Sequence, residues 1–268
     1  DFIFSVSSTF EEACAVKDEV LADMQRFGFY VSWAKSVLMP SRICKFMGVL
    51  VDSDSMRFHM PGEKIEKLEV LIGQFLEGPT RIAFRTMAKV AGKILSMSTA
   101  VSCARLFTRE TYKCIRPDGD WDDLGEITQG MMEELQEALK WVRVFNVKGS
   151  LIRKPAKQLG LRLMVDASRG GYGYRLDGQV RDVKWREGSY AVAAQWTGDV
   201  WEAQAHRELA AVLEILTDER AEETVGGQRI LLWTDSIATR RYVNKGSGPS
   251  RVMSHIMKEV FARCSSLG

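Results

Sequence analysis

From Leu161 onward the chain alternates strand and helix in an order that leaves few ways to fold. Leu161-Arg162-Leu163-Met164-Val165 is a strand ending in Asp166, and the glycine-rich Arg169-Gly170-Gly171-Tyr172-Gly173-Tyr174 follows it. Tyr172–Leu176 and Gln179–Trp185 flank Asp177-Gly178, a dipeptide that accepts the positive φ angles of a tight type I′ turn. A further hairpin strand is expected at Tyr190–Trp196, then a helix over Trp201–Leu216 and an apolar strand at Arg229–Trp233. That strand ends at Thr234-Asp235, and a helix runs from Ser236 to Asn244. An antiparallel meander followed by a crossover helix brings the last strand back parallel to the first and beside it, because crossovers are right-handed.

This order has a chemical consequence. Asp166 and Asp235 fall at the carboxyl ends of adjacent parallel strands, where open α/β sheets place their sites, and Glu208 on the crossover helix can point into the same crevice. Glu208 lies within the apolar arc of that helix, where an acid needs a partner, although Glu202 and Glu214 compete for the role. Three carboxylates a few ångströms apart raise one another's pKa, and a divalent metal ion removes the conflict. Mg²⁺, or Mn²⁺ in its place, takes oxygen ligands and keeps open positions for water and phosphate oxygens. Two such ions about 3.5–4 Å apart serve phosphodiester hydrolysis. Oxygen ligands suffice for such an ion, which leaves His206 a structural or surface role.

The rest of the chain is read from periodicity and charge. With 268 residues, 46% of them hydrophobic and 27% charged, it can bury one large core or two modest ones. No run of about 18 apolar residues marks a membrane span, and the opening Asp1-Phe2-Ile3-Phe4 is not a signal peptide. It reads instead as the middle of a strand, so the chain is expected to be a piece of something longer. Cys14, Cys44, Cys103, Cys114 and Cys264 are odd in number, widely spaced and without a Cys-x-x-Cys pair. They suit reduced thiols of an intracellular protein, cytoplasmic or nuclear, rather than disulfides or zinc.

A helix is expected over 11–27, ending at Gly28, with strand-like pieces at Phe2–Val6, Phe29–Val31, Ser36–Met39, Ile43–Val51 and Met56–His59 around it. After Pro61-Gly62 come helical segments near Glu63–Leu76, Arg81–Met97, Val101–Tyr112 and Ile127–Phe145, with a boundary at Asn146–Ser150 and Pro155. The net charge of +2 conceals a segregation. Between Gly78 and Arg116 eight basic residues (Arg81, Arg85, Lys89, Lys93, Arg105, Arg109, Lys113, Arg116) face one acid, Glu110, whereas Asp118 to Glu137 carries eight acids and no base. The spacing of four puts a line of cations on one face of any helix formed there, for which phosphates are the natural partner and a solvated face the plain alternative.

Taken together, Leu163-Met164-Val165-Asp166-Ala167-Ser168, Gly170-Gly171-Tyr172-Gly173, His206-Arg207-Glu208-Leu209-Ala210-Ala211, Trp233-Thr234-Asp235-Ser236 and Tyr242-Val243-Asn244-Lys245-Gly246 resemble the ribonuclease H domain of retroelement reverse transcriptases. Asp1-Phe2-Ile3-Phe4-Ser5 is similar to the downstream half of the polymerase catalytic strand, with Asp1 as the second aspartate of its Asp-Asp pair. Gly28 to Lys35-Ser36 is similar to the palm around the incoming nucleotide. Lys45-Phe46-Met47-Gly48-Val49 resembles the primer-grip hairpin, with Met47 where Leu is commoner. Pro61-Gly62-Glu63-Lys64 onward, with Ala88–Lys93, resembles the thumb. The likeness is nearest to tyrosine-recombinase retrotransposons of the DIRS type.

The resemblance implies an α+β palm remnant (1–60) and a helical thumb/connection (61–154), followed by an α/β ribonuclease H-like mixed sheet (155–268). It implies an RNA-directed DNA polymerase whose nuclease hydrolyses the RNA strand of RNA·DNA hybrids with two metal ions, Asp166, Glu208 and Asp235 being the ligands. The partners would be the hybrid, the primer–template duplex and the remainder of the polyprotein, with no membrane. Lys35, Phe46, Met47, Gly48, Arg81, Arg85, Lys89, Lys93, Arg105, Arg109 and Lys113 would lie against the sugar–phosphate backbone. The family's other polymerase aspartates lie outside this sequence. Its fourth nuclease carboxylate has no counterpart in Arg251–Cys264, where Glu259 stands in a different context. Two rivals differ in class: a catalytically inactive nucleic-acid-binding module, and a resolvase- or integrase-like nuclease of the same architecture.

Overall fold

The computed structural model describes residues 7–115, 118–152, 160–185 and 200–267. Helix α1 (Phe10–Arg26) starts where the Thr9 hydroxyl accepts the Glu12 N–H at 3.1 Å, and the chain leaves it through Gly28 at φ +78. None of its residues is buried. The pieces at 29–31 and 36–39 are not strands; a single 3₁₀ turn, Trp33–Lys35, lies between them. Strand-forming side chains need a ladder partner, and none of the described strands pairs with them. The expected strand 43–51 is two, β1 (Ile43–Phe46) and β2 (Val49–Asp52), joined by Met47 and Gly48 at φ 46 and 80. Strand β3 (Arg57–His59) continues the antiparallel meander.

Helix α2 (Gly62–Leu76) follows, with Leu68, Leu71, Ile72 and Phe75 buried at helical spacing. The helix expected from Arg81 begins later. Arg81–Ala83 forms a short strand, β4, and helix α3 occupies Phe84–Ser96. The reason is a long-range partner, β5 (Leu124–Glu126), which pairs antiparallel with β4. The segment expected as one helix over 101–112 is a 3₁₀ turn at Ala104–Phe107 and a short helix α4 (Arg109–Lys113). Helix α5 (Gln129–Lys148) completes this layer, and Met87, Val90, Ile94, Leu135, Ala138 and Val142 pack in its core.

Residues read as a boundary fold back onto what precedes them. Ser150–Leu151 (β6) pairs antiparallel with β3, giving a sheet of order β1-β2-β3-β6. The Asn146 side chain bonds both the N–H and the carbonyl of Met60.

The C-terminal part follows the expected plan. Strands β7 (Leu161–Ala167), β8 (Gly171–Leu176) and β9 (Gln179–Lys184) form the meander, with Asp177 and Gly178 at φ 47 and 87 in its turn. Helix α6 (Val200–Thr217), a short helix α7 (Glu219–Val225) that the periodicity had not indicated, and strand β10 (Ile230–Trp233) come next. Strand β10 lies parallel to β7, with Trp233 opposite Met164, in a sheet of order β10-β7-β8-β9. Helices α8 (Ile237–Lys245) and α9 (Arg251–Leu267) close the chain.

The period of two along the strands decides the faces. Leu163, Val165, Ala167, Tyr172, Tyr174 and Leu176 are buried, with α6 packed on β7 through Leu209, Val212 and Ile215, and α9 behind α6. The expected strand at Tyr190–Trp196 lies outside the described residues.

The fold is thus mixed α and β throughout, with an antiparallel sheet, a β4–β5 pair and a helix-backed mixed sheet. Lys258 of α9 pairs with Glu137 of α5 and lies 5.2 Å from the centre of the Phe107 ring, and Arg109 bonds the Pro249 carbonyl, so the layers meet through specific contacts. No helix among the described residues is long and apolar enough to cross a membrane.

Candidate metal centre at the ends of two parallel strands

Strand β7 carries Asp166 as its penultimate residue, inside the ladder and opposite Gly173, one residue before the strand's end at Ala167. Its Oδ1 accepts the following Ala167 N–H at 2.8 Å. Strand β10 stops at Trp233, and Asp235 follows in the turn before α8, whose first turn is capped by the Ser236 hydroxyl. Glu208 comes from the buried face of α6 and is 4% exposed. These three residues, 27 or more positions apart in sequence, each offer a carboxylate oxygen, and the oxygens lie within 4.8 Å of one another. They are the acids that the strand order had singled out.

Both Glu208 oxygens are held. Gln204 Nε2 donates to Oε1 at 3.1 Å, and the Thr234 hydroxyl donates to Oε2 at 3.2 Å. Each oxygen keeps a second lone-pair direction for another partner. Three carboxylates this close are unfavourable without a counter-charge, and an all-oxygen donor set suits a hard divalent cation rather than zinc. The residues present therefore fit such an ion. Of the competing acids, Glu214 is outside this group, and the Glu202 side chain lies outside the described residues. His206 is buried, its Nε2 2.9 Å from the Ser250 hydroxyl, which is the structural role expected of it.

A cleft of about 1050 Å³ opens beside the acids, lined among others by Asp166, Gly173, Asp182, Trp233 and Asp235. Two of its lining glycines are crowded by strand β9. A Cβ on Gly171 would stand 2.2 Å from the Val183 carbonyl oxygen, and one on Gly173 would stand 2.9 Å from Asp182 Oδ1. The sequence reading passed over Gln204, Thr234 and Arg207. Gln204 sits four residues before Glu208 on one helix, a spacing that stacks side chains on the same face.

The expected nucleic-acid contacts are distributed less simply. Arg85, Lys89 and Lys93 share helix α3 and Arg109 and Lys113 share α4, while Arg81 is in β4 and Arg105 in the 3₁₀ turn. Several cations have partners within the chain. Arg81 Nη2 donates to the Leu124 carbonyl at 2.9 Å, and Arg85 forms a two-point pair with Asp122 at 2.9 and 3.1 Å, which lifts its pKa above the usual guanidinium value. Arg109 and Lys113 both reach Glu110. Asp122 of the acidic stretch and Glu110 within the basic one thus neutralise part of it, while Lys89 and Arg105 are exposed. In the first sheet Phe46 is half-buried, Met47 stands exposed at the hairpin tip, and Lys64 reaches over Gly48. Lys35 is exposed, and Asp1 lies outside the described residues.

No protein-family model and no curated protein matches this sequence. Among solved structures, the chain is similar to the foamy viral protease-reverse transcriptase in complex with an RNA/DNA hybrid, at 13% identity and a TM-score of 0.47, over 98% of this chain and 32% of that one. It is also similar to the same viral protein in complex with double-stranded DNA, at 14% identity and a TM-score of 0.45, over 92% of this chain and 47% of that one. The chain therefore spans less than half the length of these proteins.

Proposed function

We propose that the chain belongs to a retroelement reverse transcriptase of the DIRS type or a relative. In this reading 1–60 is palm, 61–154 thumb and connection, and 155–268 a ribonuclease H-like domain that hydrolyses the RNA strand of RNA·DNA hybrids. The observation that carries the reading is the meeting of Asp166, Glu208 and Asp235 within 4.8 Å at the carboxyl ends of β7 and β10. The motifs around these acids, and their order along the chain, give the chemistry its name.

Asp166, Glu208 and Asp235 would hold Mg²⁺ or Mn²⁺. When bound, such ions supply Lewis-acid stabilisation and an activated water for phosphodiester hydrolysis. The chain's own residues do the rest. Strand β7 fixes Asp166, the turn after β10 fixes Asp235, and α6 presents Glu208. Such a hybrid is recognised by backbone shape and 2′-hydroxyls, not by base sequence. Exposed Lys89 and Arg105, with Lys93, Lys35 and the hairpin tip at Met47, would contact primer–template phosphates. An intracellular location, cytoplasmic or nuclear, and partnership with the rest of a polyprotein belong to the same proposal.

The test is cleavage of an RNA·DNA hybrid by the full-length protein with and without Mg²⁺. Metal-dependent cutting of the RNA strand, abolished by Asp166→Asn with the fold intact, is expected. Cutting that survives Asp166→Asn defeats the assignment. Hybrid binding with no metal-dependent cutting selects the catalytically inactive nucleic-acid-binding module.

A further inference from the structure

Glu208 is the acid of the three with the least freedom, and the groups that hold it form a connected set. Gln204 Nε2 donates twice, to Glu208 Oε1 at 3.1 Å and to the Ala167 carbonyl at 2.6 Å. Ala167 is the residue beside Asp166, so one amide ties α6 to the end of β7. The amide has only one useful orientation, because its Oε1 accepts from Arg207 Nε at 3.3 Å and Nη2 at 2.8 Å, and Arg207 is 6% exposed. A guanidinium can only donate, so it holds the carbonyl end toward itself and turns the NH₂ end to the acids.

The second oxygen is fixed from β10. The Ser236 N–H donates to Thr234 Oγ1 at 3.1 Å, and the Thr234 hydroxyl donates onward to Glu208 Oε2 at 3.2 Å. Helix α6, strand β7 and the turn after β10 therefore converge on one carboxylate.

We propose that Gln204 and Thr234 are positioning residues that set the Glu208 carboxylate against Asp166 and Asp235, with Arg207 locking the Gln204 amide; this rests on the reading of the three acids as a divalent-ion centre. The chemistry of the two side chains suits the task. Both donate to a carboxylate without bringing a positive charge, so the acid is oriented and its attraction for a cation is kept. A lysine at 204 would neutralise the acid, and a leucine would leave it free to rotate. Partners of this kind, which bond the ligands and not the metal, change metal affinity by 10- to 100-fold when removed.

The experiment is a calorimetric titration of the whole chain with Mn²⁺, alongside its thermal unfolding without metal. Gln204→Met keeps the length of the side chain and removes the amide, and it is expected to weaken Mn²⁺ binding about tenfold. Thr234→Val is expected to weaken it several-fold, and Thr234→Ser, which keeps the hydroxyl, to restore the wild-type affinity. A purely structural role would move the metal-free unfolding midpoint and not separate Ser from Val; if Gln204→Met unfolds, the Thr234 pair decides. Wild-type affinity in both Gln204→Met and Thr234→Val, with binding lost in Glu208→Gln, overturns the positioning role and leaves the centre standing. A wild-type chain that takes no Mn²⁺, or a Glu208→Gln variant that binds as well as wild type, overturns the centre and the positioning role together.

Discussion

Glu134 and Glu208 are buried to the same degree, each 4% exposed, on long helices of neighbouring regions, yet they are opposite kinds of carboxylate. Glu134 on α5 accepts from the Glu110 N–H, the Thr111 N–H and the Thr111 hydroxyl, each at 2.9 Å, and so closes the otherwise bare first turn of α4. It belongs to no cluster of three or more ligating side chains among the described residues. Glu208 has two donors and two acidic neighbours. Burial alone does not mark a functional acid. What separates the two is the company each keeps: backbone and hydroxyl donors at Glu134, two further acids at Glu208.

Mutation should expose the contrast most sharply. Glu134→Ala strands three donors, two of them buried, and is expected to lower stability by about 3 kcal/mol, whereas Glu208→Ala, which relieves like-charge crowding, should cost no more than about 1 kcal/mol. Urea unfolding of the two variants checks this, and equal losses would erase the distinction. Next in size, Gly171→Ala forces a Cβ against the Val183 carbonyl and should cost about 2 kcal/mol, with less from Gly173→Ala, whose obstacle is the movable Asp182 side chain.

A pH series sharpens the same comparison. Burial pushes the Glu134 pKa above the usual glutamate value near 4.5, outweighing its hydrogen bonds. The folded state therefore binds this proton more tightly than the unfolded chain does. Its contribution is full below about pH 4.5 and is lost as pH rises through the raised folded value. Wild type should lose stability relative to Glu134→Gln over that rise, measured by unfolding at successive pH values. The smallest effect concerns the basic face. Asp122→Asn frees Arg85 and should strengthen duplex binding slightly, steepening the salt dependence by about one charge, which fluorescence anisotropy at several salt concentrations would detect.

Legibility followed the range of the interactions. The turn at Asp177-Gly178, the parallel return of β10 and the convergence of Asp166, Glu208 and Asp235 were readable, because turn chemistry, crossover handedness and strand order act through local pattern and a single topological rule. The β4–β5 pairing was not. Arg81, Arg85, Lys89 and Lys93 have helical spacing, and only the distant Leu124–Glu126 makes the first of them a strand residue. The partner of Arg85 was hidden for the same reason, since Asp122 is far along the chain. Helix α1 shows a further limit. Its periodicity marks an apolar side as clearly as that of α6 does, but α6 buries Leu209, Ala211 and Ile215 completely while α1 buries nothing, and no spacing tells what covers a face. Gln204 had a signal, its place one turn before Glu208, that means little until Ala167 and Arg207 are seen around it.

The most direct test sets the two buried glutamates side by side. Mn²⁺ titrated into the wild-type chain, Glu208→Gln and Glu134→Gln should bind to the first and third and fail to bind to the second. Equal binding by all three, or loss in Glu134→Gln alone, would contradict a divalent-ion centre built on Asp166, Glu208 and Asp235.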